Sequence, residues 1–205
     1  MGNGNKVEFL VAICALIASS MAVYMAWDQG RVMRAQQHGA VFPVLQVDGF
    51  LNNDDTSSAV GITIRNSGVG PALIESVTLI VGDERTDGFL DQMQAIPSGY
   101  RLDWSGIVGR ALAPGETVTP IRMVWPMGTL ETSDIRNISA DSQTWKLEIC
   151  YCSVFQKCWK TSQIGRSRAT PVAQCEREER DIFEELGLQN LSSNPDIIPA
   201  QEATE

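Results

Sequence analysis

The sequence predicts a mainly β protein carried behind one membrane-spanning helix and followed by a short acidic helix. Three observations predict it. One uncharged apolar run lies near the amino terminus, strand-length segments of alternating or β-branched residues follow it, and Gly, Pro, Asn and Asp punctuate those segments. Spacing of this kind points to a β-sandwich or a partly open barrel.

The apolar run extends from Phe9 to Trp27, FLVAICALIASSMAVYMAW, 19 residues without a charge. At about 1.5 Å per residue it spans roughly 28 Å, close to the thickness of a hydrocarbon core. Lys6 and Glu8 bound it on one side and Asp28, Arg31 and Arg34 on the other, while Tyr24 and Trp27 fall where amphipathic rings favour headgroups. Its end, VYMAW, matches a signal-peptidase site poorly, so an uncleaved anchor is expected. Two lipid-anchor readings fail: Ile13 precedes Cys14 where a lipoprotein signal has a small residue, and Lys6 stands where a myristoylation signal has Ser or Thr. Charge alone leaves the orientation near a tie. Cys150, Cys152, Cys158 and Cys175 form an even set beyond the anchor, which an oxidising compartment can pair off, so the bulk is placed outside.

Beyond the polar stretch RVMRAQQHG, strands are expected at Phe42–Phe50, Ala59–Arg65, Leu73–Val81, Val118–Trp125, Trp145–Val154 and Cys158–Ile164. Asn66-Ser67-Gly68-Val69-Gly70-Pro71 joins two of them, and its glycines can take positive φ at little steric cost. Ala113-Pro114-Gly115-Glu116 fits a type II turn. Asp87–Ala95 reads as one or two helical turns.

These turns carry a resemblance. The order ITIRNSGVGPALIESVTLIV and then LAPGETVTPIRMVW resembles bacterial immunoglobulin-like modules of the cell-adhesion-related (CARDB-type) kind. It is also similar to bacterial membrane-anchored proteins carrying Asn-x-Gly-x-Gly-Pro-Ala. The resemblance covers residues 59–125 and implies an immunoglobulin-like β-sandwich in the cell envelope. Its motif positions, Asn66, Gly68, Gly70, Pro71, Pro114 and Gly115, specify turns and imply no activity.

At the carboxyl end, Thr170-Pro171 reads as a helix start and Gly187 as its stop, with Val172, Cys175, Ile182, Phe183 and Leu186 on one stripe. The net charge of the 205 residues is −9, and residues 176–205 hold nine acids against two arginines. The acidity is thus a property of this piece, either a solvated outer face or an arm for a partner. It also argues against nucleic acid as a partner.

Among chemistry-bearing residues the cysteines say most. Cys150 and Cys152 share one strand face, opposite Trp145, Leu147, Ile149 and Tyr151, and are too far apart to bond easily to each other. Their expected partners are Cys158, on the following strand, and Cys175; a three-residue loop Phe155-Gln156-Lys157 would put Cys158 on the same side. The only imidazole, His38, lies 11 residues past Trp27, unsuited to a catalytic cleft. Asp54-Asp55 and Asp83-Glu84 with Asp87 and Asp91 lack the spacing of a calcium loop. Trp104, Trp125, Trp145 and Trp159 read as core or sheet-face residues.

The expected organisation is a tail (1–8), transmembrane helix (9–27), juxtamembrane linker (28–41), β-sandwich (42–165), acidic amphipathic helix (166–187) and disordered tail (188–205). The expected role is a single-pass protein of a bacterial inner membrane with a periplasmic, non-catalytic interaction or scaffolding domain. Its partners would be the membrane and another envelope protein; no catalytic residue, cofactor or metal is expected. The alternative is an envelope thiol-redox or metal-binding protein using Cys150, Cys152 and Cys158.

Overall fold

The computed structural model describes residues 4–86, 89, 96–142, 144–165, 168–184 and 186. The chain divides into two units, Met1–Ala40 and Val41–Glu205. The first holds one helix, α1 (Gly4–Ala40). Its apolar run includes Ser19 and Ser20, whose hydroxyls both donate to the Leu16 carbonyl at 2.9 and 2.8 Å, so the helix satisfies its own polar side chains. Large side chains such as Leu16 and Val23 are exposed. The stretch Val7–Arg34 is long and apolar enough to cross a membrane, a property shared by anchors and signal sequences. The residues expected as a linker continue this helix to Ala40. They are mostly good helix formers, and the first proline is Pro43.

The second unit is mainly β. Its strands are β1 (Leu45–Asn53), β2 (Ser57–Asn66), β3 (Ala72–Val81), β4 (Glu84–Thr86), β5 (Arg101–Trp104), β6 (Ala111–Leu112), β7 (Thr117–Pro126), β8 (Trp145–Cys152), β9 (Cys158–Thr161) and β10 (Thr170–Val172). They form two antiparallel sheets, ordered β1-β2-β7-β5 and β10-β9-β8-β3-β4, with β6 pairing β3. Inward residues of both sheets share one apolar core, among them Val47, Ile64, Trp125, Ile74, Leu79 and Ile149. The buried indole of Trp125 donates to the Pro97 carbonyl at 3.0 Å, so its polar edge is satisfied. Pro120 interrupts β7, a central strand, where the β2–β7 register shifts between Ile62 and Ile64; the irregularity accommodates the missing donor.

One helix, α2 (Thr132–Ser142), was not anticipated from the sequence. Glu131 precedes it, its N–H donating to the Asp134 carboxylate at 2.9 Å while its carbonyl accepts from Ile135.

The turn motifs form as read, with one correction. Gly115 has φ +80°, and Glu116 N–H donates to Ala113 O, as a type II turn requires. Gly68 and Gly70, however, are not among the positive-φ glycines. They are needed for close approach: a Cβ at Gly68 would strike the backbone of Phe42, Pro43 and Val44, and one at Gly70 the backbone of Val41. Asn66, wholly buried, holds this crossing together. Its Nδ2 donates to Gly70 O (2.7 Å) and Leu112 O (3.0 Å), and its Oδ1 accepts from Val44 N (3.2 Å) and Gly68 N (3.0 Å). Every hydrogen-bonding site of the amide is used.

The carboxyl-terminal helix is a second correction. Thr170–Val172 forms a strand on the edge of its sheet, pairing with β9. An edge tolerates Pro171, which lacks a donor, so the Thr-Pro that reads as a helix start here begins a strand. Residues 173–181 are not helical, and among the described residues after them helix is found at 182–184 and 186. The expected helical turns over Asp87–Ala95 and the tail from Leu188 lie outside the described residues, apart from Phe89, which is buried.

Candidate functional site

The four cysteines beyond α1 meet on the outer face of the second sheet. Ser153 N–H donates to Lys157 O at 2.8 Å, which makes Cys152 and Cys158 the next, non-hydrogen-bonded pair of the β8–β9 hairpin. Side chains at such a pair are at their closest. The two Cα atoms are 4.0 Å apart and the sulfurs are bonded. Strand β8 ends at Cys152, two residues earlier than expected, and Gln156 turns the loop with φ +58°.

The second disulfide joins Cys150 to Cys175 across 25 residues, with Cα atoms 5.7 Å apart. Cys175 reaches β8 because β10 first pairs with β9 and the chain then crosses the sheet toward β3. There Glu178 N–H donates to Glu75 O, and Arg177 forms an ion pair with Glu75 at 2.8 Å. The sequence brought Cys158 and Cys175 forward as partners without assigning them; the register of the hairpin assigns them. Cys150, Cys152 and Cys158 are buried. The sulfurs of Cys152, Cys158 and Cys175 all lie within 4.8 Å of one another, so the two bridges are neighbours. Cys158 Sγ sits 3.7 Å from Gln156 O. As a disulfide sulfur it has no proton to donate, so this is a contact and not a hydrogen bond. Cys14 is unpaired, on α1.

Past Cys175, Asp181 was missed by sequence reasoning. Its buried carboxylate accepts from the backbone N–H groups of Ile107, Val108 and Phe183. It seats a turn whose Ile182, Phe183 and Leu186 enter the core, with Phe183 stacked on Phe89 at 5.1 Å. The signal was only an apolar triplet inside an acidic run.

The other candidate is the free edge of β1. Even-numbered residues of β1 exchange hydrogen bonds with β2, as the Ser67 N–H to Val44 O bond at the same register shows. Odd-numbered residues therefore direct their N–H and C=O away from the sheet. Leu45 N–H meets the Tyr151 hydroxyl at 3.5 Å, and Val47 O accepts from Gly165 N–H at 2.7 Å. From Gly49 to Asn53 this edge pairs with no other strand among the described residues. A cavity of about 680 Å³ adjoins it, lined by Asp48–Leu51, by Gln163–Gly165, and by Ile62, Met123 and Trp145 from the two sheets. Burial pushes the pKa of Tyr151 up, opposed by the Leu45 hydrogen bond, and burial alone pushes that of Tyr100 up.

His38 lies on α1, apart in sequence from every strand. The other tryptophans divide as core (Trp125), half-buried against the core (Trp145, Trp159) and exposed (Trp104). The chain matches no protein-family model and no curated protein.

Proposed function

We propose that this is a single-pass, membrane-anchored protein of the bacterial cell envelope whose immunoglobulin-like, CARDB-type sandwich is a non-catalytic interaction module. In this reading α1 is the retained anchor in the inner membrane and the β unit stands on the periplasmic side, where two disulfides persist. The observation that carries the interaction role is the outer edge of β1 from Gly49 to Asn53, unpaired among the described residues and beside an apolar cavity. An exposed edge is a template for an added strand, main-chain groups giving affinity and neighbouring pockets giving selectivity. The partner is another envelope protein presenting an extended segment.

A photo-crosslinking residue at Leu51, with Val69 as the exposed control, tests this in cells. A discrete adduct is expected from position 51 alone, and Gly49→Pro should abolish it. Proline there removes an outward N–H and leaves the β1–β2 bonds in place. Equal adducts from both positions, or indifference to Gly49→Pro, would count against the edge. A reporter fused after Glu205 checks the topology: activity confined to the cytoplasm would reverse the orientation.

A further inference from the structure

The two disulfides are usually a sign of structural stapling, yet their placement has a second chemical capacity. Three sulfurs from three separate stretches of chain, Cys152, Cys158 and Cys175, lie within 4.8 Å of one another. The fourth, Cys150, is attached to Cys175. We propose that in the reduced chain these four thiolates form a tetrahedral zinc site on the outer face of the second sheet. This does not depend on the edge-strand reading.

The argument rests on spacing and ligand type. Sulfurs bound to one tetrahedral Zn²⁺ at about 2.3 Å lie about 3.8 Å apart. Cys175 is already within 4.8 Å of the Cys152–Cys158 pair, and opening the bridges needs side-chain rotation on a backbone that the sheet holds at Cys150, Cys152 and Cys158. Cys152 and Cys158 face each other across the hairpin, and Cys150 shares their face two residues along β8. All-thiolate sets select zinc among the abundant divalent ions. Three ligands are buried and Cys175 is partly exposed, which leaves a path for the ion. Lys160 stands directly across from Cys150 in the register, its ammonium paired with the Glu148 carboxylate at 2.9 Å.

The conversion balances. Each disulfide takes two electrons and two protons from a dithiol, which leaves as its own disulfide. The four thiols then release four protons as they bind one Zn²⁺. The sulfur cluster thus has an oxidised state of two covalent staples and a reduced state of one metal staple, both tying the segment around Cys175 to β8.

The test uses the full chain in detergent with Cys14→Ser, so that only the four sulfurs respond. It is reduced with a trialkylphosphine, which takes its oxygen from water, and given zinc under argon before free metal is removed. About one zinc per reduced chain is expected, and less than about a tenth per unreduced chain. Cobalt in place of zinc should give the charge-transfer and visible bands of tetrahedral thiolate ligation. Cys175→Ser should weaken binding at least tenfold. Zinc retention no greater than in a variant with all four cysteines changed to Ser overturns the proposal, as does undiminished binding in Cys175→Ser. Circular dichroism covers the case in which reduction unfolds the chain: zinc that restores the sheet signal supports the site, and zinc that neither binds nor restores it overturns it.

Discussion

Phe50 lies over the bare Cα of Gly61, its directly paired residue across β1 and β2. A Cβ at Gly61 would come 2.6 Å from Phe50 Cζ and would also strike the Ile121 carbonyl on β7. The glycine therefore lets an aromatic ring cover a β2 backbone that is hydrogen-bonded on both sides. Gly61→Ala should destabilise the fold by about 1–3 kcal/mol, the usual range for overpacking. Adding Phe50→Ala should recover only part of this, because the Ile121 carbonyl remains. Urea midpoints of the three variants in detergent measure it, and full recovery would mean that the ring alone sets the constraint.

Asn66 offers a sharper test, since its amide makes four hydrogen bonds to main-chain groups. Asn66→Ala leaves buried donors and acceptors without partners and should cost about 3 kcal/mol or more. Asn66→Asp should be at least as damaging near neutral pH, because a carboxylate would face the carbonyls of Gly70 and Leu112 where the amide donated. A loss below about 1 kcal/mol for Asn66→Ala would show that water replaces the amide.

The disulfides should contribute unequally. Closing the 25-residue span between Cys150 and Cys175 restricts the unfolded chain more than closing the six-residue span between Cys152 and Cys158. The chain-entropy relation gives about 3.5 and about 2 kcal/mol. Paired Cys→Ser variants, compared by denaturant midpoint under oxidising conditions, should show that order. The reverse order would place the main effect in the folded state.

Asp54 should titrate low. Its carboxylate accepts from the Thr56 hydroxyl and from the N–H groups of Thr56 and Ser57, which bring its pKa from 3.8 to about 2. A carboxyl depressed in the folded state stabilises it above the unfolded value, and that contribution fades as pH falls from 3.8 toward about 2. Carbon NMR titration of the Asp54 carboxyl should give a midpoint well under 3.8. Asp54→Asn should flatten the dependence of hairpin stability on acid in that interval.

The strands around Ile62, Val77, Ile121 and Ile149 were legible because their alternation or β-branched content reflects a buried face, which local pattern reports directly. Strand β10 was not, because Thr170-Pro171 suits a helix start as well as a sheet edge and only the pairing with Trp159 and Lys160 decides between them. Helix α2 has few apolar residues, so periodicity had little to report. The turn glycines were legible by type, but the reason for Gly68 and Gly70 lies in the segment leading into β1, more than 20 residues earlier. Cysteine number and face were readable. Which sulfur meets which depended on the length of the Ser153–Lys157 loop and on the path of the chain after β10.

The Asp181 anchorage bears on how the protein is made. Core walls that begin with Leu45 near the front of the β unit are closed by Phe183 and Leu186, more than 130 residues later. A ribosome that has released everything up to β9 has still withheld the plug, so the apolar interior stays uncapped until the segment from Asp181 to Leu186 has emerged. Nascent chains cut before Asp181 should therefore be ready prey for proteases and chaperones, although every strand from β1 to β10 has already been synthesised.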